Sequence, residues 1–430
     1  MSAQQYAKRA GMTIEEWKKA TKFRGTDFGW VIMNIGLAIG AGTVFLPLQV
    51  GLVGIWVFIL AAIIGYPILY QFQKLYIDVL VESPKCEDFA GVISGYLGRS
   101  AGLLLGALYF IMMTILIFLY STALTNDSAS FLQTFGVTQE LLSKNIFYGL
   151  AIICFMVAIA SQGEKLLFKV SSAMVITKLC VIALLGLVMV QYWNLANVPA
   201  FPEAGYMIKQ SIILLPLVGL SITYLGSLSP LVIYYRNHTE NKVVAHYLSL
   251  RASNIAYVVL LVVILFFAFS FNLAISHEQS VLAYKSNIST LAIAAKNMDG
   301  SLVKILSLIL NIFAIATAYF SAFLGFRDSC KGFALNILQR FIPEDRINMK
   351  AIKYGTSLFC IASCWGVIIL NAPILTMANI LGPAMGIIGC LLPVFLVYKM
   401  SEFKKYRGWP CYTITIMGVL LLISPFLALF

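Results

Sequence analysis

Residues Gly36-Leu37-Ala38-Ile39-Gly40-Ala41-Gly42-Thr43-Val44-Phe45-Leu46-Pro47 place three glycines and a proline inside a segment otherwise apolar enough to cross a bilayer. Glycine loses more conformational freedom on ordering than any other residue and proline removes a backbone donor, so a helix interrupted in this way is ready to unwind at mid-membrane. Non-helical backbone at that depth is tolerated only where it lines a cavity or is buried in protein. A second stretch repeats the arrangement: Gly219-Leu220-Ser221-Ile222-Thr223-Tyr224-Leu225-Gly226-Ser227-Leu228-Ser229-Pro230, agreeing with the first at Gly, Leu, Ile and Pro. Paired interrupted helices in the two halves of a membrane protein point to the binding site of a secondary transporter.

The bulk of the chain agrees. It has 430 residues, of which 60% are hydrophobic and 11% charged, and a mean hydropathy of +0.89, outside the range of soluble domains. Crossing the hydrocarbon takes about 17 to 25 apolar residues as a helix. Eleven such spans are predicted, over 28–50, 53–77, 100–124, 145–161, 170–193, 209–235, 252–275, 302–326, 355–371, 374–398 and 410–429. With a cytoplasmic N-terminus, the inner segments hold 24 of the 30 Lys and Arg. The outer side holds Lys144, Lys209, Lys285, Lys296 and Lys304, and Lys178 lies within a span. This asymmetry follows the positive-inside rule and puts the C-terminus outside. The net charge of +12 is thus a topology signal, attracting anionic lipid rather than nucleic acid.

Residues 1–27 are polar and charged, unlike a cleavable signal peptide. Thr13-Ile14-Glu15-Glu16 reads as a capping box opening a short amphipathic helix through Trp17 and Phe23, expected to lie on the inner membrane surface. The eight cysteines fall in spans or on the cytoplasmic side, where disulfides are rare. Cys360 and Cys364 share a helix face, but no further metal ligand is near in sequence, and small apolar packing residues are the better reading. No phosphate-binding loop, zinc-protease motif or nucleophile elbow is present, so the chain does not read as an ATP-driven pump or an enzyme, and energy for pumping must come from an ion gradient. No cofactor, metal or obligate protein partner is expected; the expected partners are a small amino acid and the bilayer.

Where a helix breaks, orphan amides at one new end carry partial positive charge and orphan carbonyls at the other partial negative charge. A zwitterion such as an amino acid needs both. The amides of Gly40, Ala41, Gly42 and Thr43 suit a carboxylate, with the hydroxyls of Thr43, Ser227 and Ser229 as hydrogen-bond partners. Carbonyls around Ala38 and from Thr223 through Tyr224 to Gly226 suit an ammonium. The competing reading is that the glycines only allow close helix packing. Lys178 in the fifth span is a candidate proton carrier, because removal from water disfavours an ammonium; the alternative is that its stem snorkels to the cytoplasmic interface. Tyr120 reads as a partner for the substrate carboxylate or as packing. Asn126 and Asp127, at the end of the third span, read as solvated caps or gates. Asp328 reads as an inner gate or as an ordinary solvated pair. His277 carries no signal.

At these residues the chain resembles the bacterial hydroxy and aromatic amino acid permeases of the amino acid-polyamine-organocation superfamily, over nearly its whole length. The marks are Ala38 to Pro47, Ser229-Pro230, Arg251-Ala252-Ser253 leading to Phe266-Phe267-Ala268-Phe269-Ser270, Leu324-Gly325 with Asp328, Gly382-Pro383, Leu391-Leu392-Pro393 and Lys405-Tyr406-Arg407-Gly408. The resemblance implies an all-α membrane fold of about eleven helices. The first ten form two inverted five-helix repeats, 28–193 and 209–398, with broken first and sixth helices, and 410–430 is an extra C-terminal helix. It also implies amino acid:proton symport by alternating access in the bacterial inner membrane. The Lys405 to Gly408 tail is similar to the serine/threonine branch, which makes serine or threonine the expected substrate and an aromatic amino acid the runner-up. The sixth helix departs from that branch, which shows Ser-Phe-Asn-(aromatic or His)-Ser-Pro where this chain has Tyr224 to Pro230. Lys178 resembles the aromatic branch and other proton-coupled members, in which a lysine stands where sodium-coupled relatives bind a cation. A passive exchanger or channel is the alternative class.

Overall fold

The computed structural model describes residues 2–83, 92, 95–161, 164–298, 300–338 and 347–429. Several parts of the predicted basic loops, with Lys85, Cys86, Arg340 and Arg346, lie outside the described residues, as do the side chains of Arg99, Lys165 and Lys169. Among the described residues all regular structure is helical. Among these residues nine helices are long and apolar enough to cross a membrane, or ten if the bent pair Gly25–Ala38 and Ala41–Val53 counts as one span; Ile146–Ala160 is apolar but shorter. The eleven spans read from the sequence thus correspond to nine or ten spanning helices and this shorter one.

We number the helices in chain order: α1 Ala3–Ala10, α2 Ile14–Ala20, α3 Gly25–Ala38, α4 Ala41–Val53, α5 Ile55–Glu82, α6 Arg99–Thr134, α7 Ile146–Ala160, α8 Glu164–Met189 and α9 Ala204–Ile222. There follow α10 Leu225–His238, α11 Lys242–Ala274, α12 His277–Lys285, α13 Thr290–Asn297, α14 Ser301–Leu338, α15 Met349–Ile369, α16 Ile374–Met385, α17 Leu392–Lys399 and α18 Trp409–Leu429. A π-helical segment, Gly386–Leu391, joins α16 to α17. Several helices outrun their predicted spans: α6 continues ten residues past 124 and α14 twelve past 326. Hydropathy marks only the lipid-embedded part of a helix. A polar continuation stays helical when neighbouring protein or a cap meets its backbone groups, as Asn241 does for the Val243 amide at the start of α11.

The two halves of the first span meet at 46°. The halves share α11 as a neighbour and otherwise pack differently: α3 mainly against α8 and α10, and α4 against α9, α12 and α13. Residues Ala41 to Leu48 are buried throughout.

The N-terminal segment corrects the expectation of a helix lying on the membrane. It is two short helices folded onto the protein, each opened by a capping box, at Ser2 with Gln5 and at Thr13 with Glu16. The Thr13 amide and hydroxyl hold the Glu16 carboxyl below the usual carboxylate range. Trp17, only 2% exposed, stacks on Tyr6 and meets Tyr247 of α11 edge to face. Asn241 donates to Ala10 O at 2.7 Å. Arg251 of α11 pairs with Asp27 at 3.2 Å, donates to Thr21 O and lies over the rings of Phe23 and Tyr247. Truncation of Trp17 to alanine should therefore cost about 3–5 kcal/mol locally and free the segment. Limited proteolysis of the purified protein checks this: Trp17→Ala should be cut before residue 25 far faster than the parent, whereas a surface-lying helix would show no difference.

Candidate functional site

At the first break, α3 ends with Ala38, Ile39 and Gly40 leave the helix, and α4 opens at Ala41. The last carbonyls of α3 have no partner within their own helix. Lys178, reaching from α8, supplies one: its ammonium donates to Gly36 O at 2.9 Å, Ile39 O at 3.0 Å and Thr317 Oγ1 of α14 at 3.0 Å. All three of its donors are used, and a positive charge sits at the negative end of a helix. The Thr317 hydroxyl in turn donates a hydrogen bond to Phe313 O at 2.7 Å. Lys178 is 0% exposed and lies about four turns inside α8, so the snorkelling reading is set aside.

The amides at the opening of α4 face the other way. The Tyr120 hydroxyl of α6 faces the Ala41 amide. A methyl placed on Gly40 would lie 3.2 Å from the Tyr120 hydroxyl and 3.3 Å from Ala318 Cβ. On Gly42 it would lie 2.2 Å from Leu220 C and 2.3 Å from Ser221 N, where α4 crosses the last turn of α9 backbone to backbone. The packing reading thus applies to Gly42, while Gly40 makes room for Tyr120. Thr43 Oγ1 is buried and has no protein partner.

At the second break, Thr223 and Tyr224 leave the helix between α9 and α10. The Tyr224 hydroxyl donates to Ser253 O at 2.8 Å, and its amide points at Gln73 Oε1 of α5 at 3.4 Å. Ser227 Oγ stands 2.6 Å from the Asn34 side-chain amide of α3 and 2.9 Å from Tyr224 O. Ser229 and Tyr76 hydroxyls lie 3.3 Å apart. Gly226 has open space where a Cβ would sit. Contacts of Gly42 with Leu220 and Ser221, and of Asn34 with Ser227, hold the two breaks together.

Asp328 is placed elsewhere. Its side chain is 64% exposed and pairs with the adjacent Arg327 at 3.1 Å, eleven residues or about 16 Å along α14 from Thr317. This is the solvated-pair reading, and the gate role loses its geometry. A cavity of about 290 Å³, lined by Gly51, Gly54, Trp56, Tyr206, Asn272 and His277, lies beyond the end of α4 and contains no residue of either break. Cys360 and Cys364 are buried with sulfurs 3.9 Å apart, and no group of three or more His, Cys, Asp or Glu fit to hold a metal occurs among the described residues.

The chain is 53% identical to a serine transporter of Escherichia coli O157:H7 over 98% of its own length and 96% of that protein's. It belongs to the hydroxy and aromatic amino acid permease family. Serine transporter SdaC of Escherichia coli (strain K12) is 27% identical, with 97% of this chain and 98% of that protein covered. Threonine/serine transporter TdcC of Yersinia enterocolitica is 24% identical, with 93% and 94% covered. No family model matches the chain. Among solved structures, that of MhsT in complex with L-phenylalanine superposes with a TM-score of 0.57 at 13% identity, covering 93% of this chain and 98% of that one; this shows a shared transporter fold. The permease is a multi-pass protein of the cytoplasmic membrane and an amino acid transporter, not an enzyme.

Sequence reasoning missed several polar groups of the permease's centre. Asn34, Gln73 and Thr317 all lie within spans, and Asn34 Nδ2 and Gln73 Nε2 are buried without a protein partner. An intramembrane amide is itself a signal. What the chain order hides is which break each one meets.

Proposed function

We propose that this permease imports serine, with threonine second, by proton symport with alternating access. The observation that carries the reading is the Lys178 ammonium bound to two carbonyls at the first break and to Thr317. A fixed positive charge there does the work of a bound cation, and only a group able to lose its proton can do so in one access state alone. The breaks present amides on α4 and carbonyls at the ends of α3 and α9, which suits a zwitterion. Thr43, Asn34 and Gln73 offer buried polar atoms in want of partners, which suits a ligand with a hydroxyl. The names of the most similar relatives point to serine. The proton is then the coupling ion and no other cofactor is needed. On this reading the two halves, 28–193 and 209–398, are inverted repeats, the N-terminus is cytoplasmic and the C-terminus outside.

Purified protein in vesicles with an inward proton gradient tests the proposal. Serine should accumulate above its external concentration, the accumulation should collapse when a protonophore is added, and removal of sodium should leave it unchanged. Uphill uptake of an aromatic amino acid in place of serine would move the substrate to the runner-up, and equilibration without accumulation would make the protein an exchanger.

A further inference from the structure

Asp127 has no part in this mechanism and is 0% exposed. It lies on α6 two turns beyond Tyr120, on the same face, at the end of the molecule opposite α1 and α2. Its Oδ1 accepts the Ser289 amide at 2.8 Å and its Oδ2 the Asn311 side-chain amide at 2.5 Å. Ser289 is the N-cap of α13, and Asn311 stands on α14 and also donates to Ser289 Oγ at 3.2 Å. One residue on, Thr290 Oγ1 accepts the Leu48 amide of α4 at 3.2 Å, an amide set free beside the in-helix Pro47. The start of α13 is therefore pinned between α6 and the upper half of the broken first span. Beside it, Asn287 and Asn371, both in left-handed backbone conformation, lock to each other and to Asn126.

Among the described residues no cation is paired with this carboxylate, which is buried and held by the Ser289 amide and the Asn311 side chain. On α13, Lys296 is exposed; on α14, Lys304 lies two turns from Asn311; Glu140 and Lys144, after α6, are exposed. Tyr148 of α7 is bonded to Ser128, Lys178 of α8 is held at the first break, α4 and α16 carry no charged residue, and on α15 Cys360 and Cys364 face one another. A buried carboxylate held by neutral donors has one simple reaction, to take up a proton. The proton occupies a lone pair of an oxygen that had been accepting, the neutral hydroxyl is a far weaker acceptor than the carboxylate, and the hydrogen bond from the N–H of Ser289 or Asn311 is weakened or lost.

We infer that Asp127 is a proton-binding site beneath α13: as a carboxylate it fastens α13 over the far end of the first span, and a proton taken up from that side releases it. The inference depends neither on serine as substrate nor on the role of Lys178. Above the pH at which Asp127 titrates, α13 is fastened; as pH falls through that point, it loosens.

Hydrogen–deuterium exchange of the whole protein in lipid nanodiscs, compared between about pH 5 and about pH 9 and corrected for the intrinsic exchange rate, reads this directly. Protection of residues 287–297 in the parent should fall on the order of tenfold at acid pH, while α18 stays unchanged. Asp127→Asn should exchange at the fast rate at both pH values. Asn311→Leu, which removes a donor and leaves the carboxyl, should loosen α13 even at the higher pH. If the parent shows no pH response over 287–297, or if Asp127→Asn responds as the parent does, the inference is overturned; the parent measurement decides alone should the variants fail to fold.

Discussion

Gly42→Ala should reduce transport at least about a hundredfold at normal expression, because the added methyl runs into the backbone of another helix. Its carbon would stand 2.2 Å from Leu220 C, 2.3 Å from Ser221 N and 2.4 Å from Leu220 O, and none of these atoms can rotate away as a side-chain end would. Overpacking in a filled interior costs about 1–3 kcal/mol, and more where backbone must move. Here the movement separates the two broken helices whose contact assembles the site. Gly40→Ala makes an instructive pair. Its methyl would meet Tyr120 Oη at 3.2 Å and Ala318 Cβ at 3.3 Å, contacts relieved by a few tenths of an ångström, so roughly a tenth of the activity should remain. Uptake measured beside a melting curve of the purified variants checks both. Full transport by Gly42→Ala would show that the crossing of α4 and α9 is not held as described.

Lys178 carries the second large effect. Lys178→Ala withdraws donors from Gly36 O, Ile39 O and Thr317 Oγ1 at once, and each buried group left unmet costs on the order of 1–3 kcal/mol. Proton-driven accumulation should vanish. Some exchange of labelled for unlabelled substrate should survive, since the amides of α4 that would meet the carboxylate are untouched. Lys178→Arg should not restore accumulation, because a guanidinium stays protonated and brings a planar fork to a site shaped for a compact ammonium. The comparison is made across external pH. Accumulation by the Arg variant near the parent level would remove Lys178 from coupling and leave it as a cap for α3.

The two breaks were legible because glycine and proline act locally, through the backbone they occupy. Nine or ten of the eleven predicted spans were legible among the described residues because hydrocarbon thickness sets a length that apolar composition alone reveals. The ends were not. The third span was read as stopping near 124, and this turned Asn126 and Asp127 into candidates for solvated caps, whereas α6 runs on to Thr134 with both buried. Hydropathy registers lipid, and these residues are buried by protein from α13 and α14. Lys178 was given a snorkelling alternative for the same reason: the fifth span was read as starting at 170, whereas α8 begins at Glu164. Asp328 was drawn in by its order in the chain, yet a helix carries each residue to its own side, and this one faces water. Of the two N-terminal helices, α2 was recognised by its capping box but set on the wrong partner, because an amphipathic face declares that it will be covered and leaves unsaid by what; α1 went unread.

That last placement has a consequence for how the protein is made. Trp17 rests on Tyr247, 230 residues later in the chain, so at about 5–20 residues per second its resting place is synthesised roughly 10 to 50 s after it leaves the ribosome. For that interval the apolar face of α2 has Tyr6 of α1 and the lipid surface to meet, but not α11. Docking of α2 onto α11 is therefore a late step of assembly, which cannot precede the synthesis of Tyr247.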